Sequence, residues 1–270
     1  MWYQIFTERF RNVNKYNDPT VETLKGAGPN DYTSPWQVHP WTSDWYKLQP
    51  YETTKIIQAL ITPDGDGNPL DGIYDWRLDV AFCIKHKFWK EWRKHFKLIN
   101  PQAYLIAEVI GPIKELKLYL QGDEFDAVMN YNFAFASSKF FINKKNKISV
   151  EESDKKLKQL RNSFPPGVAY VQQNLFDSHD TNRLASHIVN SELYAYRDCT
   201  KYFNLSKAEN SDYKTRKPNP NEVKIQKLMV IFQMTYLGAP VIFYGDEAGM
   251  WGANDPDCRK PMVWDDLNLR

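Results

Sequence analysis

The chain is short of cysteine, of long hydrophobic runs and of charge of either sign, and each shortage excludes something. Its three cysteines, Cys83, Cys199 and Cys258, are odd in number and far apart, with no CxxC or CxH spacing. Neither a disulfide framework nor a zinc site follows. No apolar run approaches the ~20 residues that a transmembrane helix needs, so a membrane partner is not expected. Lysine and arginine total 35 against 33 aspartates and glutamates, which gives no electrostatic reason to expect nucleic acid. A charged-then-apolar leader is also missing, because Met1 runs straight into the strand-like WYQIF. The expectation is a chain that begins inside a longer protein, and its compartment stays open.

What is present points to one large core. At 270 residues and 42% apolar composition, a single domain is the default. Nine tryptophans, 16 tyrosines and 15 phenylalanines make the chain rich in aromatics. Most of these rings belong in the core, and any that are exposed are platforms for the apolar faces of sugars.

The stretch GIYDWRLDVA, from Gly72 to Ala81, organises the rest. It follows the turn-like PDGDGNPLDG and reads as a short buried strand running out into a charged end. Side chains alternate along a strand, so Arg77 and Asp79 share one face while Leu78 and Val80 share the other. A structural ion pair would explain that much. AYLIAEV, from Ala103 to Val109, repeats the design and ends near Glu108, and VAYVQQNLFDSHDTN, from Val168 to Asn182, is a third strand-like run, ending in His179 and Asp180. Acids at the C-terminal ends of several predicted strands fit parallel strands whose ends converge on one site.

Around these lie alternating elements. Ile84, Phe88, Trp89, Trp92 and Phe96 recur at helical spacing until Asn100-Pro101 stops the pattern. Ser149 and Glu152 make a capping box before a helix carrying Leu157, Leu160 and Phe164, which ends at Pro165-Pro166. Glu222 to Tyr236 reads as a helix with Leu228, Met229, Phe232 and Tyr236 on its apolar side. Strands are expected over residues 2–6, 73–80, 104–109, 127–130, 168–176 and 241–244. Repeated strand and helix units call for a parallel α/β architecture. Near the start, Asn12, Asn14, Asn17 and Asp18 place four oxygen donors within seven residues, the ligand type calcium prefers, although an ordinary Asn-rich turn has the same composition.

At this point the motifs carry a family resemblance. WRLDVA at Trp76 to Ala81, AEVIG around Glu108, DSHDTNR at Asp177 to Arg183 and YGDEAG at Tyr244 to Gly249 resemble, in order, four motifs of the α-amylase family, glycoside hydrolase family thirteen. The nearest branch is that of the neopullulanases and cyclomaltodextrinases. WYQIFTERF resembles the family's first barrel strand. The resemblance implies a (β/α)8 barrel of the TIM type acting on α-1,4-linked glucans: starch, maltooligosaccharides or cyclodextrins. It implies Asp79 as nucleophile, Glu108 as acid/base and Asp180 as stabiliser of the transition state. Arg77, His179 and His86 would be the substrate-contacting residues. It also implies structural calcium at Asn12, Asn14, Asn17 and Asp18, with Asn14 standing where the family carries aspartate and Asp44 completing the shell.

The chain departs from the family pattern in places. Ala107 replaces glycine before the acid, and Phe82 and Cys83 replace asparagine and glutamate after the nucleophile motif. The segment that would carry the family's second and third strands and its protruding subdomain, after about residue 52, is expected to be absent, as is a C-terminal β-domain. Six strand candidates stand where a barrel of this type needs eight, so an incomplete barrel with little or no turnover is the expectation. The alternative function is a catalytically inactive homologue, retained for binding or as a remnant.

Overall fold

The computed structural model describes residues 75–193 and 199–262. The expected first strand, over residues 2–6, lies outside them. The chain divides into two compact units, one holding described residues 75–109 and 118–128, the other 110–117, 129–193 and 199–262.

The first unit is a strand, helix, strand arrangement closed by a third strand. β1 (Asp75–Leu78) pairs in parallel with β2 (Tyr104–Ala107), with Trp76 opposite Leu105 and Leu78 opposite Ala107. β2 in turn pairs in parallel with β3 (Ala127–Val128), giving the order β1-β2-β3. Leu105, Ile106 and Ala107 are all fully buried, which is why β2 reads as a continuous apolar run. Between β1 and β2 runs α1 (His86–Ile99), whose Trp89 and Phe96 are buried. Phe96 meets Trp76 edge-on at 5.3 Å and Trp89 meets Phe125 at 5.1 Å, so the helical stripe is an aromatic seam laid on the sheet. Phe88, expected in that stripe, is exposed. Asp126 fastens the polar edge: its carboxylate accepts from Arg93 at 2.7 Å and from the Leu105 backbone N–H at 2.9 Å.

α2 (Ile113–Tyr119) follows β2 in the chain. The second unit continues with α3 (Tyr131–Phe141), α4 (Val150–Arg161), α5 (Pro166–Val171) and β4 (Gln173–Leu175). Next come α6 (Leu184–Val189), α7 (Cys199–Leu205), α8 (Pro220–Thr235) and β5 (Ala239–Val241). β4 and β5 pair in parallel, and Met129 makes an isolated parallel bridge to Gln173. Gln233 of α8 locks β4 to β5 by donating to the carbonyls of Asn174 and Val241, each at 2.8 Å. Gly238 turns the chain from α8 into β5 at φ 124°, where a β-carbon would sit 2.5 Å from Asn174 Nδ2, so no larger residue fits. Phe133 lies at the centre of this unit, stacked on Phe232 and against Phe176 and Tyr236.

All five strands of the described residues are parallel, and they form a three-stranded and a two-stranded sheet rather than a closed barrel. The strands are shorter than expected, for local reasons. The run expected as a strand over 168–176 is helical to Val171, because Pro166 occupies the first turn of α5, where its missing N–H costs nothing. β3 ends early because the Asn130 side chain caps α3 by accepting from the Phe133 N–H. Ser149 caps α4 as expected, with Leu157 and Leu160 buried and Phe164 beyond the helix end. On α8 the inward face carries Gln226, Met229 and Gln233, and Leu228 is exposed. Two of those inward residues are polar, which hid the face from a reading by hydrophobicity.

Candidate active site

β1 ends at Leu78, and the next two residues turn sharply. Asp79 projects from the strand's C-terminal edge, and Val80 adopts the left-handed conformation, φ 44° and ψ 44°. For a β-branched residue that backbone is strained by about 1–3 kcal/mol and persists only where its surroundings hold it. Here the turn aims the Val80 N–H at Glu108, whose Oε2 accepts it at 3.0 Å. Glu108 stands immediately beyond β2, fixed by its own N–H to the Leu78 carbonyl at 2.9 Å and by its carbonyl to the Ala81 N–H.

Arg77 joins the two acids. Its Nη1 donates to Asp79 Oδ1, and its Nη2 lies 2.6 Å from Glu108 Oε1. The Asp79 carboxyl favours the protonated form of Glu108. Glu108 is only 7% exposed, and burial pushes its pKa up to about 7, with Asp79 adding to the rise and Arg77 and the Val80 N–H opposing it. A carboxyl that is protonated near neutrality, beside a second carboxylate and a guanidinium, can give a proton to one partner while its neighbour attacks another.

His86, the third residue placed in this unit, sits at the start of α1. Its Nδ1 contacts both carboxylate oxygens of buried Glu124, at 2.9 and 2.8 Å, and its ring lies 4.5 Å from that of Tyr119. That leaves Nε2 as its remaining polar atom.

His179 and Asp180 belong to the second unit, in the turn after β4. His179 Nε2 is 3.2 Å from Asp180 Oδ2, and Arg259 holds both residues, donating to Asp180 Oδ1 at 2.9 Å and to the His179 carbonyl at 2.8 Å. This carboxylate is half-exposed and faces a guanidinium, an environment quite unlike that of Glu108. Asn12, Asn14, Asn17, Asp18 and Asp44 lie outside the described residues. Among the described residues no cluster of His, Cys, Asp and Glu could hold a metal. A cavity of about 540 Å³ in the second unit is lined by Ile110, Ile113, Asn132, Phe135, Lys139 and Lys156 among others, and none of the candidate acids reaches it.

Comparison with known proteins places the chain in a family. Residues 71–269 match the family model described as alpha amylase, catalytic domain. The chain belongs to the α-amylase family. It is 39% identical over 195 residues to neopullulanase 2 of Thermoactinomyces vulgaris, covering 72% of this chain and 27% of that protein. It is equally similar to a cyclomaltodextrinase of a Bacillus species, with 72% and 28% covered. The chain therefore spans little more than a quarter of the length of these curated relatives. Among solved structures, a cyclomaltodextrinase superposes with a TM-score of 0.54 at 37% identity, over 73% of this chain and 28% of that one. The cyclic α-maltosyl-(1→6)-maltose hydrolase of Arthrobacter globiformis, solved with its cyclic substrate, superposes with a TM-score of 0.56 at 27% identity, over 79% and 38%. An incomplete barrel of the α-amylase type is thus the fold.

Several residues that hold the candidate residues of each unit in place carry no signal in the sequence. Val80 gave no signal, since nothing in a sequence marks a valine for the left-handed region. Arg259 lies far from Asp180 in the chain and in no motif that names it. Arg183 and Asp246 stand inside DSHDTNR and YGDEAG, but nothing in those motifs shows that the buried Arg183 guanidinium meets the Asp246 carboxylate at 3.0 Å.

Proposed function

We propose that the chain carries the catalytic acids of a retaining glycoside hydrolase acting on α-1,4-linked glucans. The observation that carries the reading is the Asp79, Arg77 and Glu108 arrangement, with Glu108 held protonated near neutrality next to an acid it does not replace. Relatives named neopullulanase, cyclomaltodextrinase and amylopullulanase support the substrate class.

In the proposed reaction the Glu108 carboxyl protonates the glycosidic oxygen while an Asp79 oxygen bonds to the anomeric carbon, and the leaving sugar departs with that proton. Glu108, now ionised, takes a proton from water, whose oxygen attacks the same carbon and releases Asp79. Arg77 keeps the two acids in register, and Asp180 is assigned the stabilisation of positive charge on the sugar as it develops. Retaining enzymes hold their two carboxyls about 5 Å apart. Here Arg77 spans both groups, and the Val80 N–H is a second fixed point for Glu108.

The small share of its relatives' length that the chain spans favours a second reading, a homologue that binds glucans without cleaving them. The test is hydrolysis of maltotetraose and of cyclodextrin by the purified chain beside its Asp79→Asn variant. Turnover that is lost in the variant supports the hydrolase. Equal behaviour of the two proteins, with retained glucan affinity, supports the second reading.

A further inference from the structure

The turn that carries His179 and Asp180 has an exposed front and a buried back. Both of those side chains are half-exposed, whereas Ser178, Thr181 and Asn182 around them are buried. Within the turn, Thr181 Oγ1 accepts the Ser178 N–H at 2.9 Å and Ser178 Oγ accepts the Asp180 N–H at 3.2 Å. These local bonds fix the turn's shape but not its place. Asn182 reaches further: its Oδ1 accepts from the Tyr202 hydroxyl, and its Nδ2 donates to the Tyr213 hydroxyl at 2.8 Å. Both tyrosines are buried. A carboxamide has an accepting end and a donating end. With each end taken by a different hydroxyl, the side chain is held in one orientation, and a buried, satisfied polar group of this kind fixes its surroundings more narrowly than apolar packing does.

The two tyrosines come from one stretch of chain that the proposed reaction does not use. Tyr202 lies in α7, and Tyr213 lies in the irregular segment between α7 and α8. That segment has its own anchor, because the Lys214 N–H donates to Asn190 Oδ1 at 2.8 Å and the Lys214 carbonyl accepts from Asn190 Nδ2 at 3.0 Å. It also grips the loop after β5. Trp251 Nε1 donates to the Thr215 carbonyl at 3.1 Å, and the Asn254 N–H donates to the Ser206 carbonyl at 2.8 Å. The same loop carries on to Arg259, the partner of Asp180. One stretch therefore holds both the back of the acid's turn and the loop of the acid's cation.

We infer that Asn182 is a positioning residue for Asp180, and that residues 202–215 form the strap that holds it, gripping its amide between two tyrosine hydroxyls. Asn182 is two residues from Asp180, so a shift of its side chain is passed to the acid through Thr181 alone. The consequence for turnover rests on the hydrolase reading above, but the placement of the turn does not.

The experiment follows the NMR signals of the His179 ring in the full 270-residue chain at pH 7, with Asp180→Asn as the reference for loss of the carboxylate beside that ring. Asn182→Leu keeps the size of the side chain, removes both hydrogen bonds and should displace the His179 signals. Tyr213→Phe removes one of the two bonds and should displace them less, and it is a second route should Asn182→Leu not fold. The deciding variant combines Asn182→Leu, Tyr202→Phe and Tyr213→Phe, which leaves neither hydroxyl buried without a partner. Its melting temperature should recover relative to Asn182→Leu while the His179 signals stay displaced, whereas a merely structural role would restore both together. Turnover of maltotetraose adds a second readout: Asn182→Leu should lower kcat on the order of tenfold and leave KM within about twofold. His179 signals that neither Asn182→Leu nor Tyr213→Phe moves, or that the triple variant restores, overturn the inference. Failure of the hydrolase reading is distinguishable, since it shows as absent turnover in the unsubstituted chain and leaves the His179 spectra as expected.

Discussion

The two units hold acids of the same family motifs in opposite environments. Glu108 is buried, accepts the Val80 N–H, and has its pKa pushed up to about 7. Asp180 is half-exposed and faces the guanidinium of Arg259. Burial without enough compensating charge makes a proton donor, and Asp180 lacks that burial. Both side chains end in a carboxyl group, so the difference in environment comes from solvent and neighbours.

That contrast is open to attack, and the largest effect should come from Glu108. Glu108→Gln removes the proton donor, and turnover of maltotetraose should fall by a factor on the order of 10²–10⁴, the range for lost general acid catalysis. Its pH behaviour has a definite sign. A carboxyl whose folded pKa is raised from 4.5 to about 7 favours the folded state fully below the lower value, and that contribution is lost as pH rises to the upper one. Chemical denaturation should therefore show Glu108→Gln gaining stability relative to the parent between pH 5 and pH 8, by about 1 kcal/mol or more at the upper end. A constant difference across that window would mean Glu108 is not perturbed.

Arg259→Ala should act the other way round, on turnover more than on stability. The pair with Asp180 is exposed, so its loss should change stability by about 1 kcal/mol at most. Turnover should drop roughly tenfold as Asp180 loses its orientation. A large fall in melting temperature without a kinetic effect would show the arginine to be structural.

Val80→Gly probes the strained turn that brings the Val80 N–H to Glu108. Glycine accepts φ 44° without penalty, so thermal melting should show stability unchanged or raised by up to about 1 kcal/mol. A valine-to-glycine change at an ordinary position would lower it. Smallest of all is the effect expected from calcium, proposed at Asn12, Asn14, Asn17 and Asp18. With Asn14 in place of an acid, ligand charge is reduced, and millimolar calcium should raise the melting temperature by only a few degrees. A melting temperature that does not move would remove the site from the proposal.

The sequence was most readable where one signal had one cause. Glu108 and Asp79 lie one residue past their strands because the apolar run stops there, and α1 follows from the spacing of Trp89 and Phe96. It was least readable where two signals overlapped. Pro165-Pro166 signals the end of one helix in the sequence, yet it also begins the next, so the front half of the strand expected over 168–176 is α5. Leu228 was placed inside because it is apolar, but buried Gln226 and Gln233 hold that face, with Gln233 satisfied by strand carbonyls. The ties from Arg259 to Asp180 and from Arg183 to Asp246 join residues about 60 to 80 positions apart. Short-range periodicity contains no trace of such contacts.

The central claim is that Asp79 attacks the sugar while Glu108 supplies the proton. The most direct measurement is mass spectrometry of the chain after incubation with a slow-hydrolysing fluorinated glucosyl fluoride, whose good leaving group needs no acid. The account predicts one added glycosyl group, mapped by peptide digestion to Asp79, formed also by Glu108→Gln and not by Asp79→Asn. A label that persists in Asp79→Asn, or one that maps to Glu108 or Asp180, would contradict it.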